Sequence, residues 1–213
     1  MKASAGYPRN CRQGGSVALD DLCENPFDEF SRWHSELGMK RRRGHFRAVL
    51  AATGLDGAPE VRSVAVIRVT GGFAFFAAHH GAVIGRFGAD PRAAVCFDWS
   101  EHRAEVRACG QVQRLSDVDS DGYFGTLPER EQLTIWLRDQ EPTSAPRAEM
   151  TRRLAEVADH FRGQLVPRPQ HWGGYRIIVD DMLLRLRGAD EVWDEVRFRR
   201  TASGSWGRTW SSC

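Results

Sequence analysis

The feature that most limits how this chain can fold is a run of β-type segments between His45 and Arg114, separated only by short turns. His45 to Thr53 ends at Asp56-Gly57, a two-residue turn signal. Val61 to Val69 alternates and is rich in β-branched residues; Gly71-Gly72 then turns the chain into Phe73 to Ala78. Ala93 to Asp98 and Glu105 to Arg114 follow, with a short helix expected over residues 83–88. Strands in direct succession predict an antiparallel barrel or sandwich, not alternating β and α units.

Helical patterns flank this run. Asn25-Pro26 reads as an N-cap with proline at the first helical position, and Phe27, Phe30, Trp33 and Leu37 recur at helical spacing before Gly38. After the strands, Ser116 caps a segment carrying Val118, Tyr123 and Phe124, and helices are expected over residues 129–138 and 146–163. Strands return at Gly174 to Val179, Met182 to Arg187, Val196 to Arg200 and Ser205 to Trp210. No repeat or linker divides the pattern. Residues 1–24, rich in Gly, Ser, Asn and Arg, read as a mobile arm, and residues 25–213 as one domain. The expected fold is α+β, a β-barrel with helices packed outside.

Charge narrows the function. Thirty basic residues nearly balance 28 acidic ones, which gives no case for nucleic-acid binding; the run Lys40 to Arg43 reads as a solvated loop. No apolar stretch is long enough to span a membrane. The five cysteines (Cys11, Cys23, Cys96, Cys109, Cys213) have neither C-x-x-C nor zinc spacing. Cys96 and Cys109 fall in apolar strand patterns and are expected to be buried thiols, and the odd count points to the cytoplasm.

Several stretches together resemble the pyridoxamine 5′-phosphate oxidase family. They are Asn25-Pro26-Phe27 with Phe30 and Trp33, Pro91 to Trp99, Gly110 to Ser116 followed by Tyr123-Phe124, and Val166 to Arg176 with its His171-Trp172-Gly173-Gly174. The similarity covers about residues 24–210. It implies a split β-barrel, a homodimer with cofactor sites at the subunit interface, FMN as cofactor, and oxidation of a phosphorylated pyridine.

Carried over position by position, the resemblance also implies a changed site. Arg62, with its neighbours Ser63 and Val64, matches the flavin-binding stretch, and Gln140 is also kept. The family's lysine near flavin and substrate is Ile67, and its phosphate-gripping Arg-Lys pair is Val83-Ile84. A flavin-ring glutamine is Glu105, and a Trp and an Arg of the C-terminal hairpin are Arg185 and Glu195. On the substrate side Tyr123 is kept, but an arginine is Leu127, a serine is Glu131, and the catalytic Arg-x-His reads Glu191-Val192-Trp193.

Each charged hydrogen bond to phosphate contributes ~1.5–3 kcal/mol. FMN is therefore expected to bind weakly, and pyridoxal phosphate is not an expected product. The reading is an oxidoreductase-type protein acting on another small molecule, as in specialised metabolism; the alternative is a haem-binding or cofactor-free protein, catalytic or purely ligand-binding. Glu105, Tyr123, His79 and His80 are the candidate catalytic residues, and Ile67, Arg103 and Trp193 the candidate substrate contacts. His79 and His80 read either as turn residues or as acid/base groups or axial haem ligands. They are not a zinc pair, because adjacent strand residues face opposite sides. Glu105 reads as a proton acceptor or as the ion-pair partner of Arg103 or Arg107, and Trp193 as a stacking or a packing residue.

Overall fold

A computed structural model describes residues 22–37, 45–54, 56–69, 71–80, 84–137 and 146–212. Residues 1–21 of the arm with Cys11, the Lys40–Arg43 cluster, Val83, Gln140 and Cys213 lie outside these residues.

Helix α1 (Pro26–Glu36) begins where the sequence placed it, with the Asn25 side chain accepting the Phe27 amide at 3.0 Å. Its buried face, Phe27, Phe30 and Trp33, plugs the barrel, where Phe30 meets Phe46, Phe73 and Phe97 with ring centroids 4.7–5.0 Å apart. The strands are β1 (Phe46–Thr53), β2 (Pro59–Val69), β3 (Gly72–Ala78), β4 (Arg92–Trp99), β5 (Ala104–Arg114), β6 (Trp172–Arg187), β7 (Trp193–Arg200) and β8 (Trp206–Ser212). They pair antiparallel in the order β3-β2-β1-β4-β5-β6-β7-β8, and a β3–β6 pairing closes the first six into a barrel. Strands β7 and β8 extend the sheet beyond it. Helices α2 (Asp117–Gly125), α3 (Glu129–Leu137) and α4 (Arg147–His160) pack outside. They build a second core of Phe124, Leu133, Phe161, Val166 and Trp172. The fold is the α+β split barrel expected.

Three details differ from the sequence reading. Asp180-Asp181 is not a turn: β6 runs unbroken for 16 residues. Opposite Cys109/Gly110 its register shifts, so that Asp180 is an extra residue in the ladder, and the polar pair marks a bulge that lets one strand serve β3, β5 and β7. The segment at 83–88 has only a 3-10 turn, Ile84–Arg86, among its described residues. Finally, Cys109 is exposed and Cys96 half-buried, because both alternate away from the buried Ala108 and Val95 onto the outer face. Both are free thiols, whereas Cys23 is disulfide-bonded.

Candidate functional site

Strands β2 and β3 share only three residue pairs, Ile67 with Ala74, Arg68 with Phe73 and Val69 with Gly72. Beyond Ile67 they diverge, because β3 continues along β6 from Gly72 to Ala78 while β2 continues along β1 from Val66 to Pro59. The fork leaves Arg62 to Ala65 without a strand partner on that side. A cleft of about 410 Å³ lies in it, lined by β2 (Arg62 to Ala65), β3 (Phe75 to Ala77), Ile84, Trp172, and the helical residues Tyr123, Leu127, Glu131 and Ile135. Arg62 pairs with buried Leu50, and Val64 with buried Ala48, so both side chains take the inner side of the sheet.

The floor of the cleft is aromatic. Phe76 stacks on Tyr123 with ring centroids 3.6 Å apart and planes 6° from parallel, and on Trp172 at 5.4 Å and 19°. Helix α2 is fastened under this stack. Ser116 caps it by accepting the Asp119 amide at 3.0 Å, and Ser120 Oγ accepts the Gly174 amide at 3.1 Å. Arg168 donates to Asp117 (2.9 Å), Asp121 (2.6 Å) and the Trp172 carbonyl (2.6 Å). Gly174 is required here, since a Cβ would stand 2.8 Å from the Phe76 ring and 2.6 Å from Leu115. Among the described residues, Arg62 and Glu131 are the only charged ones in the lining, and Arg62 has no ion-pair partner.

Of the residues singled out from sequence, the fork brings together Arg62, Ser63, Val64 and Tyr123, with Leu127 and Glu131 beside them. Ile67 does not join them: it alternates away from buried Val66 and sits at the vertex of the fork. Glu105, Arg103 and Trp193 lie elsewhere on the chain. Glu105 faces the outer side of β5, 2.6 Å from Arg107 and 3.6 Å from Arg185, which is itself 2.5 Å from Glu195. These are ion pairs by distance, although Glu105 Oε1 and Arg185 Nε lack well-aligned hydrogen bonds. The ion-pair alternative therefore describes Glu105 in this chain, with Arg107 as a partner. Trp193 packs under this network, with the Arg185 guanidinium 4.6 Å from its ring centre. Arg103 staples the β6–β7 connection, donating to the Arg187 carbonyl at 3.2 Å and to Glu191 at 2.6 Å.

The two histidines follow β3 and differ. His79 Nδ1 is 2.5 Å from the Tyr175 hydroxyl, and Nε2 is enclosed without a partner against Gly173, where a Cβ would lie 3.3 Å away. Burial, then Arg114 and Arg168, pushes the His79 imidazole below its ordinary value. For that Nε2 to hold a haem iron, Gly173 of β6 would have to move. His80 is exposed, its ring 5.6 Å from that of His171. Sequence reasoning missed His45, whose Nε2 lies 2.5 Å from the Tyr123 hydroxyl. A polar residue at the head of a strand was the only signal available.

The described residues of the cleft do not fit a flavin phosphate well. A dianion needs several cations or donors. Among the described lining residues Arg62 is the single cation, Glu131 is a carboxylate, and Ile84, where the family has a cation, is apolar and 3% exposed.

A six-stranded closed barrel, two added strands and a cleft in the β2–β3 fork define a split-barrel protein. The family model for pyridoxamine 5′-phosphate oxidase matches residues 40–161. The chain is 34% identical over 204 residues to the pyridoxine/pyridoxamine 5′-phosphate oxidase of Rubrobacter xylanophilus, covering 94% of this chain and 92% of that one. With the enzyme of the same name from Thermosynechococcus vestitus it shares 36% over 181 residues, 84% and 85% of the two chains. The chain belongs to the pyridoxamine 5′-phosphate oxidase family. Among solved structures, PhzG from Burkholderia lata, in complex with tetrahydrophenazine-1-carboxylic acid, superposes with a TM-score of 0.81 at 20% identity, over 94% of this chain and all of that one. A pyridoxamine 5′-phosphate oxidase-related, FMN binding protein from Nostoc punctiforme gives 0.61 at 13% identity, over 78% and 86%. At these identities the likeness is one of fold. Among the described residues no helix is long and apolar enough to cross a membrane.

Proposed function

We propose that this protein is an oxidoreductase-type member of its family that acts on a planar small molecule other than a pyridoxine phosphate, bound in the β2–β3 fork. The observation that carries this reading is the lining of the cleft: an aromatic stack, aliphatic walls and, among the described residues, Arg62 as the single cation. Such a site suits a flat ring system with no more than one negative charge, the kind of molecule bound by PhzG, and a role in specialised metabolism fits that chemistry. FMN would meet Arg62 but, among the described residues, no cation cluster, and with three or four charged contacts missing its affinity falls by several orders of magnitude, at ~1.5–3 kcal/mol each.

Titration of the apoprotein with FMN, followed by flavin fluorescence, is expected to give weak binding that disappears in Arg62→Ala. Pyridoxamine 5′-phosphate with excess FMN is expected to yield no peroxide. Nanomolar FMN binding that survives Arg62→Ala, or turnover like that of an authentic family oxidase, would sink this reading. A Soret band in the purified protein that is lost in His80→Ala would move the haem alternative ahead.

A homodimer belongs to the same proposal. Val49 and Val61 are 42% and 70% exposed on the outer face of β1 and β2, where a second barrel would cover them. Light scattering at micromolar concentration is expected to give twice the 24.0 kDa chain mass; a stable monomer overturns it. Two free thiols favour a cytoplasmic setting, and the bond at Cys23 counts against it.

A further inference from the structure

We propose that Tyr123 is the catalytic residue of the cleft and His45 its positioning residue, the two forming a relay that removes a proton from an N–H or O–H group of the bound ligand. The proposal rests on the reading of the β2–β3 fork as the ligand site. The contact is long-range: His45 stands at the entry to β1 and Tyr123 on α2, 78 residues later. Nε2 and the phenolic oxygen are 2.5 Å apart, and the rings cross at 83° with centroids 5.9 Å apart. Tyr123 lines the cleft, so a ligand lying there meets the side chain that His45 holds.

Tyr123 is fixed more firmly than packing requires. Its ring lies on Phe76, its helix is capped by Ser116, and Ser120 and Arg168 tie that helix to Gly174 and Trp172. Such fixing removes the rotational freedom a phenol would otherwise lose on meeting its ligand, which is what general acid–base chemistry requires of a positioned group. The proton path balances. The ligand X–H bond breaks, where X is nitrogen or oxygen, and its proton passes to the Tyr123 oxygen. The phenolic proton passes at the same time to Nε2 of His45. The ligand is left as an anion and His45 as an imidazolium; no electrons are transferred and no oxidant is consumed. Arg62, lining the same cleft, is the cation that faces the anion formed, and Glu131 is the carboxylate that limits how much further negative charge the site accepts.

The probe for the test is 7-hydroxycoumarin-3-carboxylate, which is planar, carries one carboxylate for Arg62, and has one hydroxyl whose ionised form absorbs separately. At a pH where the free dye is mostly un-ionised, the full chain is expected to bind it as the phenolate. His45→Gln keeps a hydrogen-bonding side chain near Tyr123 but offers no base, and Tyr123→Phe removes the relay while keeping the ring stack. Each is expected to lower the bound phenolate-to-phenol ratio about tenfold, the worth of one charge-assisted hydrogen bond, and to weaken dye binding by no more than that factor. A purely structural role for His45 would not move that ratio, and circular dichroism reports whether each variant is folded. If His45→Gln fails to fold, Tyr123→Phe decides alone. Dye bound as phenol by the wild-type protein, or a ratio unchanged in the variants, overturns the relay; the loss of binding in Arg62→Ala would still uphold the cleft. Failure of the wild-type protein to bind the dye overturns the cleft reading, and the relay with it.

Discussion

Replacing Arg32 by methionine is expected to destabilise the fold by about 3–5 kcal/mol, the cost of breaking a buried ion pair and leaving one charge behind. Glu29 is 0% exposed and Arg32 8%. Arg32 Nε donates to Glu29 at 3.2 Å, its terminal nitrogens contact Glu29 and Glu36, the latter at 2.8 Å, and Glu29 also accepts the Cys23 amide at 3.0 Å. Methionine keeps most of the aliphatic stem, so little of the loss comes from a cavity. What changes is that a carboxylate shut away from water loses its guanidinium and retains the Cys23 amide. For a domain of this size each kcal/mol shifts the melting midpoint by roughly 2–4 °C, so a fall of about 6–20 °C is expected. Urea unfolding followed by tryptophan fluorescence gives the free energy directly. The double variant Glu29→Met/Arg32→Met is expected to recover most of the loss, since an apolar pair of similar volume removes the stranded charge. A single variant within about 1 kcal/mol of wild type would refute the reasoning, because the carboxylate would then have another way to be satisfied.

Two further perturbations test the frame around the site. Gly110→Ala would place a Cβ 1.9 Å from the Ile178 carbonyl oxygen, beside the β6 bulge, and is expected to cost at least about 2 kcal/mol in urea unfolding. Burial lowers the folded-state value of His79, so the unfolded chain takes up that proton first, from about pH 6.5 downward. The stability contributed by neutral His79 is therefore complete above that pH and is lost as pH falls towards the folded value. The variant His79→Gln is expected to lose less stability than wild type between about pH 7 and pH 5, and identical slopes would show that the imidazole is not held neutral.

Local pattern carried the fold. The period-two runs, the Asn25 cap on α1 and the block of helices after Ser116 all stand where residue spacing put them, because each is set by neighbours a few positions apart. The continuous β6 was not legible, since two adjacent aspartates have the same composition in a bulge as in a turn. Site residues divided along the same line. Arg62, Ser63, Val64 and Tyr123 were found through resemblance and do line the cleft. Glu105 was singled out through resemblance, yet what it touches depends on Arg185, 80 positions later, across the β5–β6 ladder. His79 meets Tyr175 and His45 meets Tyr123 through separations of 96 and 78 residues, and no local signal announces either contact.

The short β2–β3 ladder has a consequence for how such a protein changes over time. The opening is a product of strand topology: while β3 stays zipped to β6 and β2 to β1, the gap persists whatever side chains border it. Arg62 and Glu131, the charged residues of the described lining, are not among the side chains that pack either hydrophobic core. Shape and chemical taste are thus encoded in separate sets of residues. The socket is hereditary, while the contacts inside it are interchangeable, and a lineage can trade one guest molecule for another without passing through an unfolded ancestor.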